Sequence, residues 1–364
     1  MKKALIISGG IVGFILSIIL ILLLTWVLMS PGKIRKYKGE NSLSEKIKVD
    51  INGVKNGFFI NSVDINNPVL LLVSSGPGTD DYFLTEKYKK MNLEEYYTVV
   101  YWDYRGMGIV YDKDININEI TLDTLINDTH LVTNYLKERF NKDKIFIMGF
   151  SGGSIIALNT VKEYPTDYYA YIGMAQVVTD SFERDTLMYN FMKDKFKNSK
   201  KNLRRLENAI IHLEDGNVKC KDFGEFVYLV HDAGGGTILN KNELKGITLP
   251  IILSRCYTIK EKINYIKGKK LYDKTPLVLN NKDYDYRTSI NNLDVPVYFI
   301  SGESDYNCPV DLVEDYANIL GASFYKIKDA AHSPLWENPE EVIPIFENIK
   351  EECLKWKIHT IMEI

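Results

Sequence analysis

Apolar residues run without a single charge from Ala4 to Met29, and after that point they never again form a block of that length. At about 1.5 Å per residue, such a stretch as a helix exceeds a hydrocarbon core of roughly 30 Å. Residues 4–29 therefore predict a membrane-spanning helix. Pro31 to Asn41 follows as a basic linker, and the pattern then breaks into short runs. Alternating positions near Lys46–Asp50 and Gly57–Val63 predict an opening antiparallel pair of strands. Pro68–Val73, Tyr97–Trp102 and Lys144–Met148 are continuously apolar, the mark of strands covered on both faces. Between them, helical spacing appears over Asp81–Met91 and over Thr121–Phe140, where Leu122, Leu125, Ile126, Leu131, Tyr135 and Leu136 share a face. Strand alternating with helix implies a parallel sheet.

Tyr168–Met174 reads as a further strand, after which Thr179 to Arg287 turns polar, Lys-rich and helical in pattern. That stretch predicts an inserted helical cap. The alternation resumes with a strand over Val295–Ile300, a helix near Val310–Leu320, a strand near Ser323–Lys328 and a helix from Pro339 toward Trp356. The expected organisation is an anchor over 1–32, a core in two parts over 33–178 and 290–364, and a cap over 179–289.

A cleaved signal peptide is the competing reading of the N-terminus, since Lys2 and Lys3 make a basic start. The apolar region is longer than the roughly 7 to 15 residues of such a signal, and no small-x-small site follows, which favours an uncleaved single-pass anchor. Lys2 and Lys3 on one flank are nearly balanced by Lys33, Arg35, Lys36 and Lys38 on the other, so the positive-inside count assigns no side to the globular part. The formal net charge of -3 is spread without a long basic stripe, which argues against nucleic acid as a partner. Cys220, Cys256, Cys308 and Cys353 are widely separated, with neither metal spacing nor disulfide density, and carry no assigned chemistry.

Gly149-Phe150-Ser151-Gly152-Gly153 lies between the strand Lys144–Met148 and the helix-like Ser154–Asn159. A serine between glycines at a strand-to-helix turn reads as a nucleophile elbow, where small residues let strand and helix approach and leave the hydroxyl exposed. Serine attacks only if a base takes its proton, and the base must be oriented by a third group. Of five histidines, His130 falls in a surface-type helix, His212 and His231 in the cap and His359 in the terminal tail. His332 remains, in the loop Asp329–Pro334 after a strand. Asp305, in Ser301-Gly302-Glu303-Ser304-Asp305 after the strand Val295–Ile300, is the expected acid, with Glu303 as its substitute. Strand ends of open α/β sheets are where such groups gather. Backbone amides of Gly152 and of Gly76, in Ser74-Ser75-Gly76-Pro77-Gly78, are the expected oxyanion donors.

These segments resemble the α/β-hydrolase fold family and, more narrowly, its proline iminopeptidase-like serine hydrolases. Members carry a His-Gly-Gly-Pro-Gly loop, an Asp-Gln-Arg-Gly-x-Gly segment and a Gly-x-Ser-x-Gly-Ser elbow. Here they read Ser74–Gly78, Asp103–Gly108 and Gly149–Ser154, followed by Asp305 and Ala331-His332-Ser333-Pro334. Ser74, Ser75 and Tyr104 replace the family's histidine, glycine and glutamine, and Gly152 stands where tryptophan is frequent. The resemblance implies an α/β fold with a mostly parallel sheet and inserted cap, a Ser151-His332-Asp305 triad, an acyl-enzyme intermediate and a small-molecule or short peptide substrate. It also implies cap acids that hold a peptide's free amine, for which Asp180, Glu183 and Asp185 are candidates. No His-Glu-x-x-His pattern or phosphate-cradling loop occurs, so neither metal nor organic cofactor is expected. An aminopeptidase leads; an esterase or lipase with the same triad, and a non-catalytic binding protein on this scaffold, are the alternatives.

Overall fold

In the computed structural model, which describes residues 2–76, 78–88 and 90–362, the apolar N-terminal run forms one helix, α1 (Lys2–Leu28). Its stretch Ile11–Leu28 is long and apolar enough to cross a membrane, and none of it is buried against the rest of the protein. The core follows as β1 (Leu43–Ile51), β2 (Val54–Ser62), β3 (Val69–Val73), α2 (Tyr82–Lys87), β4 (Thr98–Asp103), α3 (Leu122–Phe140), β5 (Ile145–Phe150), α4 (Gly152–Glu163) and β6 (Tyr168–Met174). An inserted segment then holds α5 (Phe182–Lys195), α6 (Lys200–Asn208), β7 (Ile210–His212), β8 (Val218–Cys220), α7 (Phe223–Ala233), α8 (Leu249–Leu253), α9 (Ile259–Tyr272), α10 (Pro276–Leu279) and α11 (Tyr286–Ser289). The core closes with β9 (Val297–Gly302), α12 (Val310–Leu320), β10 (Ser323–Ile327), α13 (Pro334–Glu337) and α14 (Pro339–Met362).

Eight strands form one sheet in the order β1-β2-β4-β3-β5-β6-β9-β10. The β1–β2 and β2–β4 pairs are antiparallel and all later pairs are parallel, as the run of doubly covered apolar segments predicts. Successive side chains on a strand alternate between faces, so β3 sends Leu70 and Leu72 into one core and Val69, Leu71 and Val73 into the other. At about 25 cal/mol per Å² of apolar surface removed from water, this two-sided burial is the main favourable term holding the layers together. The inserted segment has a smaller core of its own around Met188, Met192, Leu206, Phe226 and Leu229. Its pattern predicted helices; the hairpin β7–β8 was not anticipated, its strands being only three residues each.

The parallel registers place the functional loops. Val73 pairs with Gly149, Gly149 with Gly173, Gly173 with Phe299, and Gly302 with Ile327. The C-terminal ends of β3, β5, β9 and β10 therefore share one rim, and the loops that follow them converge there. The helix expected over Asp81–Met91 is cut to Tyr82–Lys87. Its N-cap residue, Asp81, makes no cap bond, because the carboxylate turns back to hold Ser75.

Candidate active site

Ser151 is the hinge between β5 and α4, at φ 51° and ψ −124°. A side chain in this region is strained, and the surroundings enforce it: a Cβ on Gly149 would press on Ser154 Cα, and one on Gly153 would run into the carbonyls of Val73 and Ser74. The Ser154 hydroxyl donates to the Ser151 carbonyl at 2.5 Å and accepts the Val177 N–H at 2.9 Å, which ties the turn to the chain beyond β6. The Ser151 hydroxyl stands at the N-terminus of α4, where unpaired amides favour negative charge.

His332, from the loop after β10, brings Nε2 to 2.8 Å from Ser151 Oγ. Its Nδ1 lies 2.9 Å and 3.0 Å from the two oxygens of Asp305, which is fully buried in the loop after β9. A carboxylate only accepts, so in a neutral ring Nδ1 carries the proton and Nε2 is left to accept from serine. The N–H groups of Asn307 and Cys308 each donate to Asp305 Oδ1 at 3.0 Å, fixing the carboxylate. Phe150 lies against the imidazole, with ring centres 5.4 Å apart. Glu303 takes no part; it is exposed and accepts the Asp329 N–H at 3.0 Å.

Gly152 opens α4 beside Ser151, and Gly76 lies in the loop after β3. Pro77 of that loop lies outside the described residues. Three of the departures from the family pattern, Ser74, Ser75 and Tyr104, are tied into the structure by hydrogen bonds. Ser74 is buried and donates its hydroxyl to the Trp102 carbonyl at 3.0 Å. Ser75 gives both its N–H and its hydroxyl to Asp81 at 2.6 Å. Tyr104 donates its hydroxyl to the Gly76 carbonyl at 3.1 Å, so the aromatic ring braces the loop. In the same segment, Arg105 forms a two-pronged pair with Asp128 at 2.5 Å and 2.7 Å.

Four residues around the site were invisible to motif reasoning. Glu337 is half-buried on α13, where Oε2 accepts Ala331 N–H at 3.1 Å and Ser333 N–H at 2.9 Å while Oε1 accepts Leu239 N–H at 2.6 Å. It thus clamps both neighbours of His332 to the inserted segment, and burial pushes its carboxyl up to about 7. Asp81 is likewise pushed up to about 7 by burial. Cys308 packs against the Ser151 hydroxyl and Asp305; burial, then the carboxylate, hold its thiol well above the usual range. A thiol so held does not suit a cation, although Asp305, Cys308 and His332 bring ligand-type atoms within 4.8 Å of one another. His231, set aside as a cap residue, is buried near His332 and pushed down to about 4 by burial. The signal for these residues was weak because charged groups are common in sequence and only tertiary packing buries them.

The three acids considered for amine binding are engaged elsewhere. Asp180 and Asp185 each pair with Arg184 at 2.8 Å, and Glu183 pairs with Arg287 at 2.7 Å.

A family model described as serine aminopeptidase, S33, matches residues 77–212, a stretch that includes Ser151 but neither Asp305 nor His332. A Bacillus subtilis (strain 168) protein named "Probable aminopeptidase YbaC" is 28% identical over 305 residues, covering 82% of this chain and 94% of the relative. A proline iminopeptidase structure from Mycobacterium smegmatis superposes with a TM-score of 0.61 at 12% identity, over 85% of this chain and 98% of that one. A bacterial membrane phospholipase A structure gives a TM-score of 0.57 at 14% identity, over 97% of this chain and 99% of that one.

Proposed function

We propose that the chain is a serine hydrolase of the α/β-hydrolase fold, similar to serine aminopeptidases over residues 77–212 and to a probable aminopeptidase over most of its length, and that it is a membrane-anchored aminopeptidase working through a Ser151-His332-Asp305 triad. The hydrogen-bonded chain from Ser151 Oγ through His332 to Asp305 carries the reading. Ser151 Oγ attacks the carbonyl after the N-terminal residue while His332 Nε2 takes its proton. Asp305 holds the imidazole in the productive tautomer and stabilises its charged form. The developing oxyanion lies between the N–H groups of Gly152 and Gly76; the neighbouring Ser75 N–H is already given to Asp81. His332 then protonates the leaving amine, and water, activated by the same imidazole, releases the acyl group from Ser151. Helix α1 holds the enzyme on a bilayer through residues 4–29, and the domains expected over 33–178, 179–289 and 290–364 supply core and cap.

An esterase reading has one observation in its favour: Asp180, Glu183 and Asp185 are each paired with an arginine, leaving none of them free to hold a substrate amine. Turnover of aminoacyl-anilides compared with short p-nitrophenyl esters separates the two. Under either reading a fluorophosphonate labels the protein and Ser151→Ala removes both labelling and turnover with the melting profile intact. Undiminished labelling of Ser151→Ala would refute the assignment.

A further inference from the structure

The end of α1 is stapled to the inserted segment at consecutive points. Trp26 Nε1 donates to the Ile252 carbonyl at 2.9 Å, Lys262 Nζ donates to Ser30 Oγ at 2.8 Å, and the Lys33 N–H donates to the Arg255 carbonyl at 3.0 Å. Lys262 Nζ also donates to the Ile252 carbonyl at 2.7 Å and stands 5.7 Å over the Trp26 ring. A tryptophan and a lysine at the end of an apolar span are the pair expected at a membrane–water boundary.

These contacts set a depth. Apolar sequence ends at Met29, and Trp26 lies one helical turn earlier, about 5 Å further along the span. Because Ile252 is hydrogen-bonded to Trp26, α8 must lie at that same level. The outward side of α8 and α9 is apolar where it meets this level: Leu249, Ile252, Leu253, Ile263 and Ile266 are all exposed, Leu253 at 52% and Ile266 at 58%. Arg255, Lys260 and Lys267, also exposed, rim the patch with positive charge. The opposite side of α9 is packed inward through Asn264, Gly268 and Tyr272.

We infer that this outer face of α8 and α9 is seated in the headgroup–acyl boundary of the bilayer that α1 enters, with the basic rim on anionic headgroups. The inference rests on α1 being a membrane span. Apolar side chains at that depth exchange water for acyl chain, and each cation of the rim is drawn to an anionic leaflet. Continuity with the span selects the bilayer over a soluble protein as the occupant, since no other surface is held permanently against this patch. One consequence concerns the active site. Gly268 of α9 backs onto Gly78 of the loop after β3, so the seated helix puts that loop roughly one helix diameter, about 10 Å, from the membrane surface.

The test uses the full chain reconstituted into phosphatidylcholine–phosphatidylglycerol vesicles. An environment-sensitive fluorophore is placed at Leu253→Cys, Ile266→Cys or, on α12, Ile319→Cys in a Cys220→Ser background, the other native cysteines being buried. Lipid carrying a nitroxide high on the acyl chain should quench the labels at 253 and 266 at least twofold more than the label at 319. Protein that floats with the vesicles while all three labels are quenched alike overturns the inference and leaves the anchor standing. Protein that fails to float refutes the anchor and the seated face together.

Discussion

Ser151 combines a backbone strain with the hydroxyl proposed as nucleophile, and the two can be separated. At φ 51° and ψ −124° a Cβ is disfavoured by about 1–3 kcal/mol, whereas glycine is not. Ser151→Gly should therefore melt at a higher temperature than Ser151→Ala, although both lack activity; equal melting temperatures would show that the turn is not strained. Glu337 carries a different burden. Its two oxygens accept three backbone N–H groups, so in Glu337→Gln one end of the amide must present its NH₂ to an N–H. A buried donor facing a donor costs about 1–3 kcal/mol. The variant should lose about 10- to 100-fold in kcat by releasing the His332 loop, and a wild-type kcat at saturating substrate would remove Glu337 from the positioning role. The hydrogen-bonded grouping of Ser151, His332 and Asp305 was legible from the glycine-flanked serine, the chain order and the loop positions. Glu337 and Asp81 were not, because their importance lies in which backbone amides the folded loops turn toward them, Leu239, Ala331 and Ser333 for the first and Ser75 for the second.

At the scale of elements, the elbow depends on how closely α4 approaches β3. A methyl group on Gly153 has no space to enter, since the Val73 and Ser74 carbonyls occupy it and both belong to backbone. Overpacking of this kind typically costs about 1–3 kcal/mol. Gly153→Ala should lower both melting temperature and activity. Gly321→Ala, at φ 63° with nothing near the added Cβ, should lower the melting temperature by less and leave activity unchanged. A Gly153→Ala enzyme with full activity would contradict the close-approach account. Apolar runs revealed β3, β4, β5 and β9 because both faces of each are buried, which removes any polar alternation. The shortened α2 and the hairpin β7–β8 were hidden, since the first stops at Lys87 with Tyr88 already outside helical geometry and the second is too brief to leave a periodic signature.

For the whole molecule, the buried acids make stability pH-dependent in an uncommon direction. Burial pushes the carboxyls of Asp81, Glu94 and Glu337 up to about 7, and Glu94 is wholly buried, facing Tyr37 and Arg35. A raised carboxyl means the folded chain keeps protons that the unfolded chain has released, so these groups make stability fall as pH rises from about 4 to about 7. The melting temperature of Glu94→Gln should accordingly exceed that of wild type at pH 8, with the difference shrinking toward pH 5; a constant difference would show that Glu94 does not titrate in this window. What the sequence alone determined is local or periodic. The apolar span, the alternation of covered strands with helices, and the strained glycine-flanked serine each follow from a few neighbouring residues and the geometry of helix or strand. The tertiary structure decided which charged groups are buried and which amides and arginines they meet, and it decided where the end of α1 touches α8 and α9. The contacts of α1 join positions more than 200 apart, such as Trp26 with Ile252, and the cost of burying a charge exists only once the chain has closed around it.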